Sequence, residues 1–261
     1  MQLFKRKKIA LALGGGSARG FANIGVLKVL EREKIPVDFV VGSSIGALTA
    51  ALYSLGMPAS VMEEAALKFS WDKLVDLGIS RTAMLKGKKL EALVGELIGG
   101  KGFSDTKIPI AITTTDIETG EELTYTKGNL QKLVQASCSW PGIFPPVEIE
   151  GRKLTDGGIR SSIPVKMIKK LGEYKVIAVH IGFCVKKGKL DNLFQMFVQS
   201  VQILGQELDR YQSMQADVVI EPELHEIDQF AFDKAKQAIR DGEDATEKVL
   251  SAIKKLVGKT R

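Results

Sequence analysis

Cysteine and histidine are scarce: the 261 residues hold two of each, Cys138 and Cys184, His180 and His225. Two cysteines make no disulfide framework, nothing suggests a Cys/His metal cluster, and a reducing compartment fits best. No apolar run reaches the roughly 18 residues of a membrane span. The opening Lys5-Arg6-Lys7-Lys8, followed by Ile9 to Leu13, copies the charged and apolar regions of a signal peptide. The glycines Gly14-Gly15-Gly16 cut its apolar stretch short, so the expected location is the cytoplasm, with at most peripheral contact with a membrane. Linkers, low-complexity tracts and internal repeats are also missing. One domain over residues 1–261 is expected, with a core of about 9–245 behind a basic segment 1–8.

Positive charge and glycine are plentiful. A net charge of +6 and a pI near 9.1 permit attraction to anionic lipid, although a basic surface also serves solubility alone. The basic residues are dispersed, with no helix-turn-helix or aromatic-basic platform, so no nucleic-acid partner is expected. The chain is arranged around Val40-Val41-Gly42-Ser43-Ser44-Ile45-Gly46. An apolar run breaks at Gly42, presents Ser44, and passes through Gly46 into a helical stretch from Ala47 to Leu55. This is the G-x-S-x-G spacing of a nucleophile elbow, whose tight turn exposes a serine Oγ at a helix N-terminus.

In chain order, Ile9 to Leu13 reads as a buried parallel strand, Phe21 to Glu33 as a helix and Val37 to Val41 as the next strand, a βαβ unit. The turn Gly14-Gly15-Gly16-Ser17-Ala18-Arg19-Gly20 fails as a dinucleotide fingerprint, because Ser17 takes the middle glycine position, and as a P-loop, because no Gly-Lys-Ser/Thr follows. Two readings remain: a glycine turn closing a strand-helix junction, or an oxyanion hole in which the N–H groups of Gly15, Gly16 and Ser17 converge on a developing alkoxide. Helices are expected over 59–69, 71–77, 88–98, 130–137 and 190–208, with two more in the tail 230–257 joined near Gly242. Strands are expected over 108–116, 120–125, 175–181 and 217–220, with 153–156 strand-like. The wide apolar stripe of 190–208 suits a core, a lipid surface or a second copy. Asp156-Gly157-Gly158 is a common turn, but it also offers Ser44 a base, since flanking glycines allow a desolvated carboxylate to approach a hydroxyl.

The glycine turn, the elbow and Asp156-Gly157-Gly158, in that order, resemble the patatin-like phospholipase family. The Ser137-Cys138-Ser139-Trp140-Pro141-Gly142-Ile143-Phe144-Pro145-Pro146 block is similar to that family's proline-rich segment. The resemblance runs from Ile9 to about Ala245. It implies an α/β fold, a three-layer α/β/α sandwich with a mostly parallel central sheet, and a lipid acyl hydrolase that needs no metal, cofactor or histidine. Ser44 would be the nucleophile, Asp156 the base, and Gly15, Gly16 and Ser17 the oxyanion hole; Arg19 would shape that loop and reach a lipid phosphate. Ser17 stands where the family has a glycine, and would crowd the hole if its φ were positive. Ser162 stands where the family often has asparagine. The competing expectations are an α/β-hydrolase triad completed by His180 or His225, and a non-catalytic lipid-binding or regulatory protein. An acyl-ester or lipid substrate, an anionic membrane and a homo-oligomer are the partners expected.

Overall fold

The computed structural model describes residues 6–78, 82–183, 185 and 191–258, with the backbone only for Phe194. Of the segments and residues read above, Lys5, Cys184 and Leu190 lie outside the described residues. Five parallel strands form the centre of the sheet, in the order β3 (Ile110–Asp116), β2 (Phe39–Ser43), β1 (Ile9–Leu13), β7 (Lys175–Val179) and β8 (Val218–Ile220). They alternate in a way that a continuous apolar run hides. Ile9, Leu11, Leu13, Val40, Ile112 and Val179 face one side, while Ala10, Ala12, Val41, Ala111 and Ala178 face the other.

The side with large residues carries α1 (Ala22–Arg32), α2 (Ile45–Ser54), α3 (Ala59–Leu67), α4 (Lys88–Ile98), α5 (Leu130–Ser137) and α9 (Ala235–Val257). On the alanine side lie α6 (Gly158–Ser161), α7 (Val165–Leu171) and α8 (Leu193–Ser213), in a thinner layer. The result is a sheet flanked by helices on both faces. The chain runs outward from β1 through β2 to β3, and later outward on its other side through β7 to β8. The loop after β1 therefore sits at a topological switch point, where open α/β sheets bind ligands.

The antiparallel strands decide the chemistry. In β3, Ile112–Thr115 pairs with β4 (Glu122–Tyr125), so β2 and β6 (Arg152–Asp156) must share the opposite edge. On that edge Thr113 faces Ser43 and the next residue, Thr114, faces Asp156. A parallel strand and an antiparallel strand thus meet head to head, and the residues at the junction are Ser43-Ser44 and Asp156. A short β5 (Val147–Ile149) pairs with β6 at the rim.

Several expected bounds shift, the helix expected over 190–208 running on to Ser213, and three corrections have a clear physical reason. Residues 71–77 give only a 3-10 turn over Trp71–Lys73, because Trp71 is drawn into an aromatic cluster, stacked on Phe232 at 5.4 Å and edge-on to Phe230. β2 begins at Phe39 rather than Val37; Asp38 instead takes the Ile9 N–H at 2.7 Å. The tail forms one long helix from Ala235, α9, unbroken at Gly242. There a Cβ would fall 2.1 Å from the Ala22 carbonyl, and at Gly25 one would fall 1.9 Å from the Ile239 carbonyl, so the two glycines let α1 and α9 touch backbone to backbone.

Gly242→Ala tests this directly, since the same change in an open helix stabilises by about 1 kcal/mol. Overpacking predicts the opposite sign, a loss of about 1–3 kcal/mol. Thermal denaturation should show a fall of about 2–12 °C, at about 2–4 °C per kcal/mol for a chain of this length.

Candidate active site

Ser44 stands between β2 and α2 with φ 55° and ψ −131°, a strained backbone for a side-chain-bearing residue. The elbow closes only because its glycines have no Cβ: at Gly42 one would fall 2.3 Å from the Gly46 carbonyl, and at Gly46 one would fall 2.2 Å from the Leu13 carbonyl. The turn is pinned from outside by Ser137, whose Oγ accepts the Ser44 N–H at 2.9 Å and donates to the Thr113 carbonyl at 2.7 Å. The Cys138 thiol donates to the Ser44 carbonyl at 3.2 Å, and burial holds that thiol well above the ordinary range.

The Ser44 hydroxyl donates to Asp156 Oδ2 at 2.6 Å. The other carboxylate oxygen accepts the Gly158 N–H at 2.7 Å. Gly157 is confined by the Thr113 carbonyl, 2.4 Å from where its Cβ would be. The Asp156 N–H donates to the Ser139 carbonyl at 3.0 Å, so the run Ser137-Cys138-Ser139 clamps both members of the pair. Asp156 is only 4% exposed. Burial pushes its carboxyl up to about 6, against the opposing pull of the Ser44 and Gly158 hydrogen bonds. It is ionised at neutral pH and a stronger base than an open aspartate.

The glycine turn faces this pair. Gly15 is its floor: a Cβ there would fall 3.0 Å from Ser44 Cβ. Its N–H donates to the Ser162 carbonyl at 3.1 Å, so the expectation that Gly15 donates to an oxyanion is corrected. Among the described residues the N–H groups of Gly16 and Ser17 donate to no protein acceptor. Ser17 has φ 53°, the positive value that disfavours a side chain there. Arg19 is buried, reaches Gln202 Oε1 with Nη2 at 3.3 Å, and lines the cavity over Ser44. Neither histidine is brought to Ser44 or Asp156 among the described residues. His180 directs Nδ1 to Glu221 at 3.2 Å and Nε2 toward Asp209 at 3.9 Å, and His225 is exposed.

Over the serine opens a cavity of about 460 Å³, within the range of small-molecule sites. Gly15, Gly16, Ser44 and Asp156 form its polar end. Leu52, Met62, Phe69, Trp71, Leu93 and Phe232 are among the side chains of its long apolar wall. Much of that wall comes from residues 58–103, in the section between β2 and β3.

Residues 11–168 match the model of the patatin-like phospholipase family. The chain belongs to this family. It is 36% identical over 182 residues to patatin-like phospholipase domain-containing protein ZK370.4 of Caenorhabditis elegans, covering 67% of this chain and 14% of the relative. Over 182 residues it is 35% identical to neuropathy target esterase sws of Drosophila melanogaster, covering 67% and 13%. Identity to lysophospholipase NTE1 of Scheffersomyces stipitis is 31% over 187 residues, covering 69% and 12%. The matched region is thus only about one eighth of each of these relatives. Among solved structures, VipD from Legionella pneumophila superposes with a TM-score of 0.62 at 15% identity, over 95% of this chain and 67% of its own. The type III effector protein ExoU gives 0.52 at 15% identity, over 98% and 54%. Both likenesses are of fold, and both agree with the sheet flanked by helices.

The raised carboxyl of Asp156 has a consequence for stability. A group whose folded pKa is elevated destabilises the fold once pH rises from its unfolded value toward the folded one, here from about 3.9 to about 6. Asp156→Asn, which keeps the shape, is expected to raise the melting temperature at pH 7.5. Melts repeated down to pH 4 should show that gain shrinking toward zero.

Proposed function

We propose that this protein is a serine acyl hydrolase acting on carboxylic esters of lipids, of phospholipase A or lysophospholipase type. The observation that carries the reading is the 2.6 Å bond from the Ser44 hydroxyl to buried Asp156 at the polar end of an apolar cavity. Family membership and the names of the relatives support it.

The geometry supports the following steps. An acyl chain lies along the apolar wall and presents its ester carbonyl to Ser44. The Oγ attacks the carbonyl carbon as its proton passes to Asp156 Oδ2, and the carbonyl oxygen becomes an alkoxide held by the Gly16 and Ser17 N–H groups. The tetrahedral intermediate collapses, the C–O bond to the alcohol breaks, and the alcohol leaves with the proton from Asp156. Water then gives its proton to Asp156 and its oxygen to the acyl carbon; the second collapse releases the acid and returns the proton to Ser44. Asp156 is base and then acid in each half, so no imidazole is required.

Lipid substrates and the outer face of α8 make contact with an anionic membrane part of this reading. That helix turns Leu193, Phe197, Ile203, Leu204 and Tyr211 to solvent, with Leu193 86% and Leu204 73% exposed. The elements packed on it carry exposed Arg160, Lys166, Lys169 and Lys170, none in an ion pair among the described residues. Apolar side chains beside unpaired cations suit the headgroup region of a bilayer. No helix of the described residues is long and apolar enough to cross a membrane. Peripheral attachment from the cytoplasmic side is the corresponding location.

Hydrolysis of a short p-nitrophenyl ester tests the chemistry. Ser44→Ala and Asp156→Asn should each lose about 10³-fold or more. The His180→Ala/His225→Ala protein should stay within about tenfold of wild type, since loss of a general base costs at least about 10²-fold. Wild-type activity at the level of Ser44→Ala would favour the non-catalytic lipid-binding reading. Flotation with anionic vesicles tests the surface. Leu193→Ser/Leu204→Ser should bind them at least tenfold more weakly at unchanged ester hydrolysis; a wild-type dimer that the same substitutions dissociate would instead identify a second copy as the occupant.

A further inference from the structure

The glycine loop holds a serine at φ 53°, and a strained backbone keeps one geometry only where its surroundings over-determine it. The restraint is anchored outside the cavity lining, on the inner face of α8, and reaches the loop through the cavity-lining Ser162 and Gln229. Gln202, Gly205 and Asp209 share that face by their spacing, and all three are buried.

Asp209 is 0% exposed, and it does not line the cavity. Its Oδ1 accepts the Ser162 hydroxyl at 2.6 Å and its Oδ2 accepts the Phe183 N–H at 2.9 Å. Arg19 supplies a facing positive charge, and His180 Nε2 stands 3.9 Å from Oδ2. Ser162 passes the restraint on, since its carbonyl takes the Gly15 N–H at 3.1 Å. Two hydrogen bonds therefore link a buried carboxylate to the residue just before the free N–H groups of Gly16 and Ser17.

The same helix holds the far end of the loop. Gln202 accepts from Arg19 at 3.3 Å and donates to Gln229 Oε1 at 2.7 Å, and the Gln229 carbonyl takes the Ala18 N–H at 3.0 Å. Between the two anchors, a Cβ at Gly205 would fall 2.1 Å from the Phe183 ring, so glycine lets that cavity-lining residue lie on the helix. Burying a carboxylate is costly unless every lone pair is met, and an apolar residue at such a position is commonly tolerated as well or better. Packing alone gives no reason for an aspartate here; the aim of the loop does.

We propose that Asp209 is a positioning residue for acyl transfer, acting through Ser162 and Gly15 to aim the Gly16 and Ser17 N–H groups at the oxyanion. This rests on the acyl hydrolase reading. Losing one oxyanion donor costs about 10²–10³-fold in rate, and mis-aiming a pair should cost somewhat less.

The test compares wild type with Asp209→Asn, which removes the charge facing Arg19 and, with one oxygen kept for the Phe183 N–H, reverses the bond to the Ser162 hydroxyl, and with Ser162→Ala, which removes the link but leaves the carboxylate facing Arg19. In each folded variant kcat for a short p-nitrophenyl ester should fall about 10- to 100-fold, with KM within about twofold. A trifluoromethyl ketone of matching chain length, which forms a hemiketal alkoxide on Ser44, should lose affinity by the same factor. The straight-chain alcohol of that length, which only fills the apolar wall, should bind as to wild type. The double variant should be no slower than the slower single, because the two act in one chain of contacts. If Asp209→Asn does not fold, Ser162→Ala alone decides. Unchanged kcat in a folded variant would overturn the proposal, as would KM and both inhibitors shifting together, the signature of a merely structural role. An inactive wild type would instead refute the hydrolase reading, and this inference with it.

Discussion

A carboxylate with almost no water around it, bonded to a serine hydroxyl at 2.6 Å, is the constraint on which the structure depends. Such a pair is costly to assemble, because desolvation pushes the carboxyl up to about 6 and the serine backbone sits at φ 55°. The fold supplies the rigidity by using one edge of β3 twice. A parallel strand whose last rung is Ser43 delivers Ser44 one residue on, and an antiparallel strand delivers Asp156 on the next rung. Ser137 and Ser139 then lock the two ends, one on the Ser44 amide and the other on the Asp156 amide.

The remaining layers follow from that junction. Large side chains fill the face under α1, α2 and α9, where the elbow helix needs a firm seat, and alanines thin the opposite face so that α7 can lie close. The section between β2 and β3 is long because it must wall an apolar cavity over the serine. On the thin side, α8 buries Gln202 and Asp209 and leaves Leu193, Phe197, Ile203 and Leu204 exposed. Its inner face bonds to both ends of the glycine loop's surroundings, through Ser162 and through Gln229.

The sequence made legible what is encoded by contiguous residues. Ser44 between two glycines, and Asp156 before two more, announce close approach in a few letters, and the βαβ opening is written in apolar runs and glycine stops. Groups that act by tertiary proximity were not legible. Ser137, Ser139 and Asp209 look like ordinary polar residues on or beside helices, and only the fold brings them to the site. The Gly15 N–H was assigned to the hole by its neighbours in sequence, and lost to the Ser162 carbonyl, far along the chain. Ser17 kept the positive φ of a glycine, which marks how strongly the surroundings impose the loop's shape. Trp71 and Gly242 misled for a common reason: local pattern suggested a helix and a break, while an aromatic cluster and a helix-helix contact decided otherwise.

The most direct test of the central claim is the rate of covalent labelling of Ser44 by a fluorophosphonate, followed by mass spectrometry of the peptide across pH 4 to 9. If buried Asp156 draws the proton from Ser44, the adduct forms on Ser44 alone. Its rate rises with pH to a plateau, with a midpoint near 6, and Asp156→Asn abolishes it. Labelling that shows no such midpoint, or that persists in Asp156→Asn, would contradict the account.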